Sequence, residues 1–129
     1  MKQVQCVAVI LQRGDRFLLG KRSPKKAVGP NYWCPISGKI EPGESEEAAV
    51  IREVQEELGI VVRPLKKITE FDIAERSARL HWWLSEIISG EPCLNNDENV
   101  ELRWVTIEEM AKLTPIFQED IDVYHSLSK

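Results

Sequence analysis

The order of apolar and polar segments along the chain predicts an α/β fold in which helices cover both faces of a mixed β-sheet. Residues 4–11 are apolar at both odd and even positions, which is typical of a strand covered on both faces. Two segments with helical spacing of apolar residues, 45–58 and 116–127, alternate with strand-like segments. With 43% hydrophobic residues, the 129 residues can form one domain, residues 1–129, around a core of its own.

A hairpin and a loop are predicted to follow the first strand. The tripeptide Arg13-Gly14-Asp15 favours a tight turn into a second strand at residues 16–20. Residues 23–32 contain two prolines and a glycine, so we expect a mobile loop there. A third strand is expected between this loop and the central helix.

Residues 45–58 are predicted to form the central helix. Ser45 can cap its N-terminus, where Glu46 and Glu47 suit the positive end of the helix dipole. Gly59 suits the left-handed residue that commonly ends a helix. The predicted buried stripe of this helix consists of Ala48, Ile51, Val54 and Leu58.

Three strands and two helices are predicted after the central helix, with the strands at residues 61–72, 78–88 and 100–105. Trp82 and Trp83 point to opposite faces of the second of these strands. One is therefore expected in the core, whereas the other could stack on a nucleobase; core packing is the alternative for either. Thr106 and Glu109 have the spacing of a capping box, which indicates a short helix. The inward-facing residues predicted for the closing helix, residues 116–127, are Ile116, Phe117, Ile121, Tyr124 and Leu127.

Three glutamates of the central helix are predicted to converge on one spot. Glu53, Glu56 and Glu57 stand at i, i+3 and i+4. Such a cluster repels itself unless a cation joins it, and hard oxygen ligands suit Mg²⁺ or Mn²⁺. The alternative is a solvated acidic helix face. The preceding turn favours the metal, because Gly38 and Lys39 can bring a backbone carbonyl and an ammonium group beside the carboxylates.

Residues 38–60 carry a longer pattern: a glycine, five residues, a glutamate, seven residues, and then Arg-Glu-aliphatic-x-Glu-Glu-x-Gly-aliphatic. The pattern is complete at Gly38, Glu44, Arg52, Glu53, Val54, Glu56, Glu57, Gly59 and Ile60. In this box, and in its length and element order, the chain resembles the Nudix hydrolases, and MutT-like members in particular. The resemblance implies an α/β/α sandwich and Mg²⁺-dependent hydrolysis of a nucleoside diphosphate linked to another moiety.

The resemblance also implies roles for the residues of the box. Glu53, Glu56 and Glu57 would be metal ligands, together with the carbonyl of Gly38. Arg52 would orient Glu53 or its neighbours through a charge-assisted pair, so that all of these belong to the catalytic set.

Residues outside the acidic helix are implied in the same way. Glu98 is the best match to one more catalytic and metal-binding carboxylate that MutT-like members often supply, with Glu101 as a competitor. Either Glu53 or Glu98 would remove the proton from the attacking water. Ile36-Ser37-Gly38 stands where many MutT-like enzymes have Pro-Gly-Gly. This departure puts a simple transfer of substrate specificity in doubt more than it does the hydrolysis itself.

Four residues are predicted to bind the substrate. Arg22 and Lys39 would hold phosphate oxygens, whereas Trp82 and Asp120 would contact the nucleobase. A (deoxy)nucleoside triphosphate, standard or oxidised as in 8-oxo-dGTP, is the expected substrate, with monophosphate and pyrophosphate as products and nucleotide pool sanitation as the purpose. The alternatives are a nucleotide sugar, ADP-ribose, a dinucleoside polyphosphate, or a regulatory domain that only binds nucleotide.

Composition narrows the expected partners and location. A net charge of −4 offers no broad basic surface for a nucleic acid polymer. No apolar stretch approaches the roughly 20 residues that cross a bilayer, and no charged leader with an apolar signal segment opens the chain. Three cysteines without Cys-x-x-Cys spacing favour a reducing compartment. We therefore expect a cytoplasmic monomer or homodimer that binds a small nucleotide and no membrane.

Overall fold

The computed structural model describes residues 3–74 and 77–127, so residues 1–2, 75–76 and 128–129 of the predicted domain lie outside the described part. The strands of the described part are β1 (Val4–Arg13), β2 (Arg16–Arg22), β3 (Trp33–Cys34), β4 (Ile36–Lys39), β5 (Val61–Ile73), β6 (Ala78–Ser89) and β7 (Asn99–Val105). Its helices are α1 (Glu46–Leu58), α2 (Ile107–Met110) and α3 (Gln118–Ser126). None of the helices described here is both long enough and apolar enough to span a membrane.

The strands form a mixed sheet whose centre is β1. Strand β1 runs parallel to β6, from Val4 opposite Ala78 to Leu11 opposite Ser85, and antiparallel to β4. Strand β5 extends this sheet as the antiparallel neighbour of β6. Strand β2 pairs with β1 beside their hairpin turn and is antiparallel to both β3 and β7. The predicted α/β class with a mixed sheet is therefore confirmed, as is the hairpin. Two short strands, β3 and β4, stand where one strand was expected before α1.

Strand β1 separates two hydrophobic clusters, because successive side chains of a strand point to opposite faces. Val7, Val9 and Leu11 pack with the buried residues of α1, whereas Ala8 and Ile10 pack with those of α3. All five side chains are at most 1% exposed. The apolar run on both faces thus has the predicted cause, a helix on each side of the sheet.

The predicted ends of α1 are confirmed. The Ser45 hydroxyl accepts a hydrogen bond from the backbone N–H of Ala48 at 3.1 Å, and Gly59 has the left-handed φ of 69°. The predicted buried stripe is partly wrong, since Ala48 and Ile51 are exposed. The residues that α1 buries are Ala49, Val50, Val54, Glu57 and Leu58.

The shift of this stripe has a geometric reason. Val50, Val54 and Leu58 are spaced by four residues and form one line along the helix, which is the line that faces β1. Ile51 lies about 100° around the helix from Val50 and reaches the solvent. Periodicity therefore predicts burial of Ile51 wrongly, because this apolar residue lies beside the line of residues that contacts the sheet.

The closing helix begins two residues later than predicted. Ile116 forms an isolated bridge with Trp33, and the ring of Phe117 stacks on Tyr32 with ring centres 4.2 Å apart. Ile116 and Phe117 therefore contact β3 and the loop before it instead of forming the first turn of α3. The predicted burial of Ile121 and Tyr124 is confirmed, and so are both hydrogen bonds of the capping box at the start of α2.

Substitutions on α1 test which of its faces is buried. Leu58 is fully buried, whereas Ile51 is 38% exposed. Leu58→Ala should lower the free energy of unfolding by about 2–5 kcal/mol, because it leaves a cavity against the sheet. Ile51→Ala is the matched control and should change it by less than about 0.5 kcal/mol. Urea denaturation followed by tryptophan fluorescence measures both, and equal losses would contradict the observed orientation of α1.

Candidate active site

A cavity of about 590 Å³ opens where β4, α1 and the start of β7 meet. Its carboxylates come from Glu41, Glu53, Glu57 and Glu98, and its cations from Arg22, Lys26 and Lys39. Apolar side chains of Val4, Cys6, Val28, Ala78 and Leu80 line the remainder, with Pro35. The cavity therefore combines an acidic wall, a basic wall and an apolar end.

The glycine that begins the box is in close contact with Glu53. Gly38 lies in β4 opposite Val7 of β1, and a side chain added there would place its Cβ 2.0 Å from the Glu53 carboxyl carbon. No residue with a side chain fits without displacing that carboxylate. The contact explains physically why glycine stands here, and it brings the backbone of β4 beside the acidic wall.

Glu53 and Glu57 form a buried carboxyl pair. The Glu57 residue is only 4% exposed, and burial, together with its contact with Glu53, raises its pKa to about 9. Burial also raises the pKa of Glu53, although the hydrogen bonds from Glu57 and Arg52 oppose that shift. Two carboxyl groups this close tolerate each other only when they share a proton or when a cation joins them.

One oxygen of Glu57 has a donor and the other has none. Oε1 accepts a hydrogen bond from Asn99 Nδ2 at 3.0 Å. Oε2 is buried and meets no hydrogen-bond donor among the described residues. A buried carboxylate oxygen without a donor is costly. A divalent cation beside the pair would satisfy it, so the donor set here fits a hard metal ion such as Mg²⁺.

Arg52 holds the acidic residues of the box together. Its guanidinium donates to both oxygens of Glu44, at 2.7 and 2.9 Å, to Glu53 at 2.8 Å and to the backbone carbonyl of Lys39 at 2.9 Å. The same guanidinium lowers the pKa of Glu44 to about 2. Arg52 thus connects the loop before α1 to the carboxyl pair, which matches the orienting role implied by the resemblance.

Three of the predicted metal ligands form ion pairs with cations of the protein itself. Glu53 pairs with Arg52 at 2.8 Å. The Glu56 side chain is 52% exposed, pairs with Arg52 at 3.3 Å and is not part of the cavity wall. Glu98 lines the cavity and forms an ion pair with Lys26. Residues 3–74 and 77–127 contain no cluster of three or more acidic, histidine or cysteine side chains that could hold a metal ion.

The cations of the basic wall come from the last residue of β2, from the loop after it and from β4. Arg22 donates two hydrogen bonds to the carbonyl of Val28, at 2.8 and 3.1 Å, and Lys26 pairs with Glu98. The Tyr32 ring at the end of the loop rests on Phe117. The loop predicted at residues 23–32 is thus present, and these contacts fix its path along the cavity. Arg22 and Lys39 both line the cavity, as phosphate-binding residues must.

The predicted contacts of Trp82 and Asp120 with a nucleobase need correction. Trp82 is fully buried between Phe71 and Tyr124 and offers no face to a ligand. It lies on the α3 side of β6, where Leu80 and Ala78, two and four residues earlier, do reach the cavity. Asp120 is 2% exposed and is not part of the cavity wall. Trp82 lies in the core that packs against α3, and Asp120 is a buried residue of α3 itself.

Sequence reasoning missed Asn99 and the apolar end of the cavity. Asn99 follows Glu98 directly and contacts Glu57, but a lone asparagine at the start of a strand carries no pattern of its own. From the sequence we expect only strands at Val4, Cys6, Ala78 and Leu80, with no part in the cavity. Their parallel pairing, Val4 with Ala78 and Cys6 with Leu80, could have been inferred only with the register of β1 and β6 in hand.

The chain is similar in sequence to known proteins. The NUDIX domain family model matches residues 1–127. A "CTP pyrophosphohydrolase" of Escherichia coli (strain K12) is 32% identical over 123 residues, which are 94% of this chain and 88% of that protein. An "NAD-capped RNA hydrolase NudC" of Stutzerimonas stutzeri is 33% identical over 105 residues, 81% of this chain but only 37% of that protein.

Solved structures show the same fold. A MutT protein from Methanosarcina mazei Go1 superposes with a TM-score of 0.81 at 22% identity, covering 99% of this chain and 96% of that one. The solution structure of the E. coli ORF135 protein gives a TM-score of 0.75 at 26% identity, with coverages of 99% and 90%.

The carboxyl pair predicts how the stability of the metal-free protein depends on pH. The Glu57 carboxyl has a pKa of 4.5 when unfolded and about 9 when folded. A raised pKa of this kind stabilises the fold fully below pH 4.5, and the contribution is lost as pH rises toward 9. From about pH 6 to about pH 8, wild type should lose up to about 1.4 kcal/mol per pH unit more than Glu57→Gln.

Urea denaturation in EDTA at several pH values measures this difference. Glu57→Gln is close in shape to the native residue and has no titrating carboxyl, so its profile is the baseline. Parallel profiles for the two proteins would contradict the proton-sharing pair.

Proposed function

The chain belongs to the NUDIX domain family, and we propose that it is a divalent-metal-dependent pyrophosphohydrolase that converts a (deoxy)nucleoside triphosphate to monophosphate and pyrophosphate. As a Nudix hydrolase it acts on acid anhydrides. The observation that carries this proposal is a cavity lined both by the Glu53–Glu57 pair and by Arg22, Lys26 and Lys39. Carboxylates that suit a metal ion and cations that suit phosphate oxygens, lining one cavity, fit a polyphosphate with its metal ion. The similarity to a CTP pyrophosphohydrolase over most of both chains supports a nucleoside triphosphate as substrate.

The acidic wall is the proposed metal site. Glu53, Glu57 and the carbonyl of Gly38 would hold Mg²⁺, for which Mn²⁺ can substitute, with Glu56 and Glu98 as further ligands. When bound, the ion supplies neutralisation of the charge that develops on the phosphate oxygens. Arg52 keeps the Glu53 carboxylate in place and stabilises its ionised form.

The basic wall and the apolar end divide the substrate between them. Arg22, Lys26 and Lys39 would bind the phosphate oxygens, and the guanidinium of Arg22 can do so with two parallel hydrogen bonds. The nucleoside would lie toward the apolar side chains of Val4, Cys6, Ala78 and Leu80. This orientation places the phosphate chain beside Glu98 and Glu53.

In the proposed reaction a water oxygen bonds to the β phosphorus as the bond from that phosphorus to the α–β bridging oxygen breaks. The bridging oxygen leaves with the nucleoside monophosphate, and the β and γ phosphates leave as pyrophosphate. The water's proton passes to a carboxylate. Glu98 suits this task better than Glu53, because Glu53 is fixed by Arg52 at 2.8 Å, whereas the ion pair of Glu98 with Lys26 lies in the cavity, where a substrate phosphate can take over Lys26.

Other nucleoside diphosphate derivatives are the second candidate class. Several relatives are named NAD-capped RNA hydrolases, and one solved structure of similar fold, at 18% identity, is titled an ADP-ribose pyrophosphatase. This chain spans only 37–42% of the NudC proteins it matches, so their whole activity does not transfer to it. A regulatory domain without activity fits less well, because the box retains every carboxylate. The cytoplasmic location, the monomer or homodimer and the exclusion of RNA stay predictions.

Turnover should depend on the acidic wall. With Mg²⁺ present, Glu53→Gln should lower kcat by roughly 100-fold or more, because it weakens charge stabilisation at the reacting phosphate. Glu47→Gln is the matched control, since Glu47 lies exposed in the first turn of the same helix. Product release from nucleoside triphosphates, 8-oxo-dGTP, ADP-ribose, NAD and nucleotide sugars is the measurement. Full activity of Glu53→Gln at limiting Mg²⁺ would contradict the site, and a preferred substrate outside the triphosphates would contradict the substrate class.

The position of bond cleavage is a separate prediction. In ¹⁸O-labelled water, attack at the β phosphorus should put the label into pyrophosphate and none into the monophosphate. Mass spectrometry of the two products after one turnover decides the point. Label in the monophosphate, or orthophosphate as the first product, would show that the substrate lies in another register across the cavity.

A further inference from the structure

Asn99 lies outside the box and makes a buried hydrogen bond to the acidic wall. It is the first residue of β7 and is 9% exposed. Its Nδ2 donates to Glu57 Oε1 at 3.0 Å, across a sequence separation of 42 residues. Among the described residues, no second donor forms a hydrogen bond to Oε1 or Oε2 of Glu57. Asn99 therefore determines which oxygen of Glu57 is already satisfied.

The place of the Asn99 side chain is created by Gly20. A Cβ on Gly20 would lie 2.7 Å from Asn99 Oδ1 and 2.8 Å from its Cγ. The φ of Gly20 is not in the left-handed region, so glycine is needed here for space rather than for backbone conformation. The register of β2 with β7 also shifts between Lys21 and Arg22, where Asn99 pairs with Arg22. Gly20 and the register shift in β2 thus leave room for the Asn99 amide.

We infer that Asn99 is a positioning residue that holds Glu57 so that its second oxygen, Oε2, is turned toward the metal ion. The chemistry of the two groups supports this assignment. An ionised carboxylate only accepts hydrogen bonds, so the amide must present its N–H₂ group to it. With Oε1 engaged, the buried Oε2 is the oxygen left for a cation. Partners behind a metal ligand fix its orientation, and their loss commonly weakens metal binding by about 10–100-fold.

Three variants separate positioning from packing. Asn99→Ala removes the amide. Asn99→Asp keeps its shape but replaces the donor by a second carboxylate, which repels Glu57. Gly20→Ala keeps both the Asn99 amide and the Glu57 carboxylate but displaces the amide, because the added Cβ would lie 2.7 Å from Asn99 Oδ1. Asn96→Asp is the matched control: it adds the same charge three residues earlier, before β7 begins, and keeps the oxygen that accepts from the backbone N–H of Glu98.

The test is the dissociation constant of Mn²⁺, measured by titration calorimetry on the full chain without nucleotide and well below each variant's melting temperature. Asn99→Ala should weaken Mn²⁺ binding by about 10–100-fold relative to wild type, and Asn99→Asp should weaken it by at least as much relative to Asn96→Asp. Gly20→Ala should weaken it in the same direction. In steady-state assays the KM for nucleotide should stay within about twofold while the Mg²⁺ requirement rises.

The outcomes are distinct. Mn²⁺ affinity within about twofold of the controls in folded Asn99→Ala and Asn99→Asp would overturn the inference and leave Asn99 a packing residue. This inference rests on the metal site of the proposed function but not on its substrate. Wild type that binds Mn²⁺ without hydrolysing nucleoside triphosphates would contradict the proposed function and leave the inference standing. Wild type that binds no Mn²⁺ would overturn both.

Discussion

The contact between the carboxyl groups of Glu57, which is buried, and Glu53, which is partly buried, is the constraint on which the rest of the site depends. Nothing in the fold requires these groups to meet, since α1 could bury apolar residues at both positions. The protein instead places Gly38 under one carboxylate and Asn99 against the other. Burial of ionisable groups in this way lowers stability and is characteristic of functional sites.

The rest of the acidic wall is arranged to make that pair tolerable. Arg52 is the main cation, and its contacts with Glu44, Glu53 and the Lys39 carbonyl connect β4, the loop before α1 and α1 itself. Lys26 pairs with Glu98, which lines the same cavity. One guanidinium serves the carboxylates of Glu44, Glu53 and Glu56, and among the described residues Glu57 forms no ion pair with a cation. In the proposed metal site a divalent cation would supply the positive charge that the protein lacks there.

Sequence alone was sufficient for whatever depends on local spacing. The ends of α1 and the capping box at Thr106 follow from residue types a few positions apart. The metal-binding roles that the resemblance implies for residues 38–60 stay a prediction. The sequence was insufficient where the burial of a residue depends on the register between two strands or on the rotation of a helix about its axis. Val50 rather than Ile51 faces the sheet because of a turn of about 100° that periodicity does not resolve. Trp82 is buried and Leu80 lines the cavity although both point to the same face, since only the depth along β6 distinguishes them.

The division of the interior by β1 has a consequence for how such a protein can change. The carboxyl pair stands on α1, whose apolar residues belong to one cluster, whereas Cys6 and Leu80, at the apolar end of the cavity, pack with the other. Substitutions at Cys6 or Leu80 therefore disturb the packing around α3 rather than the packing of α1. In the proposed function, the nucleoside end and the metal ligands thus depend on different hydrophobic clusters, so substrate preference could change without loss of the acidic wall.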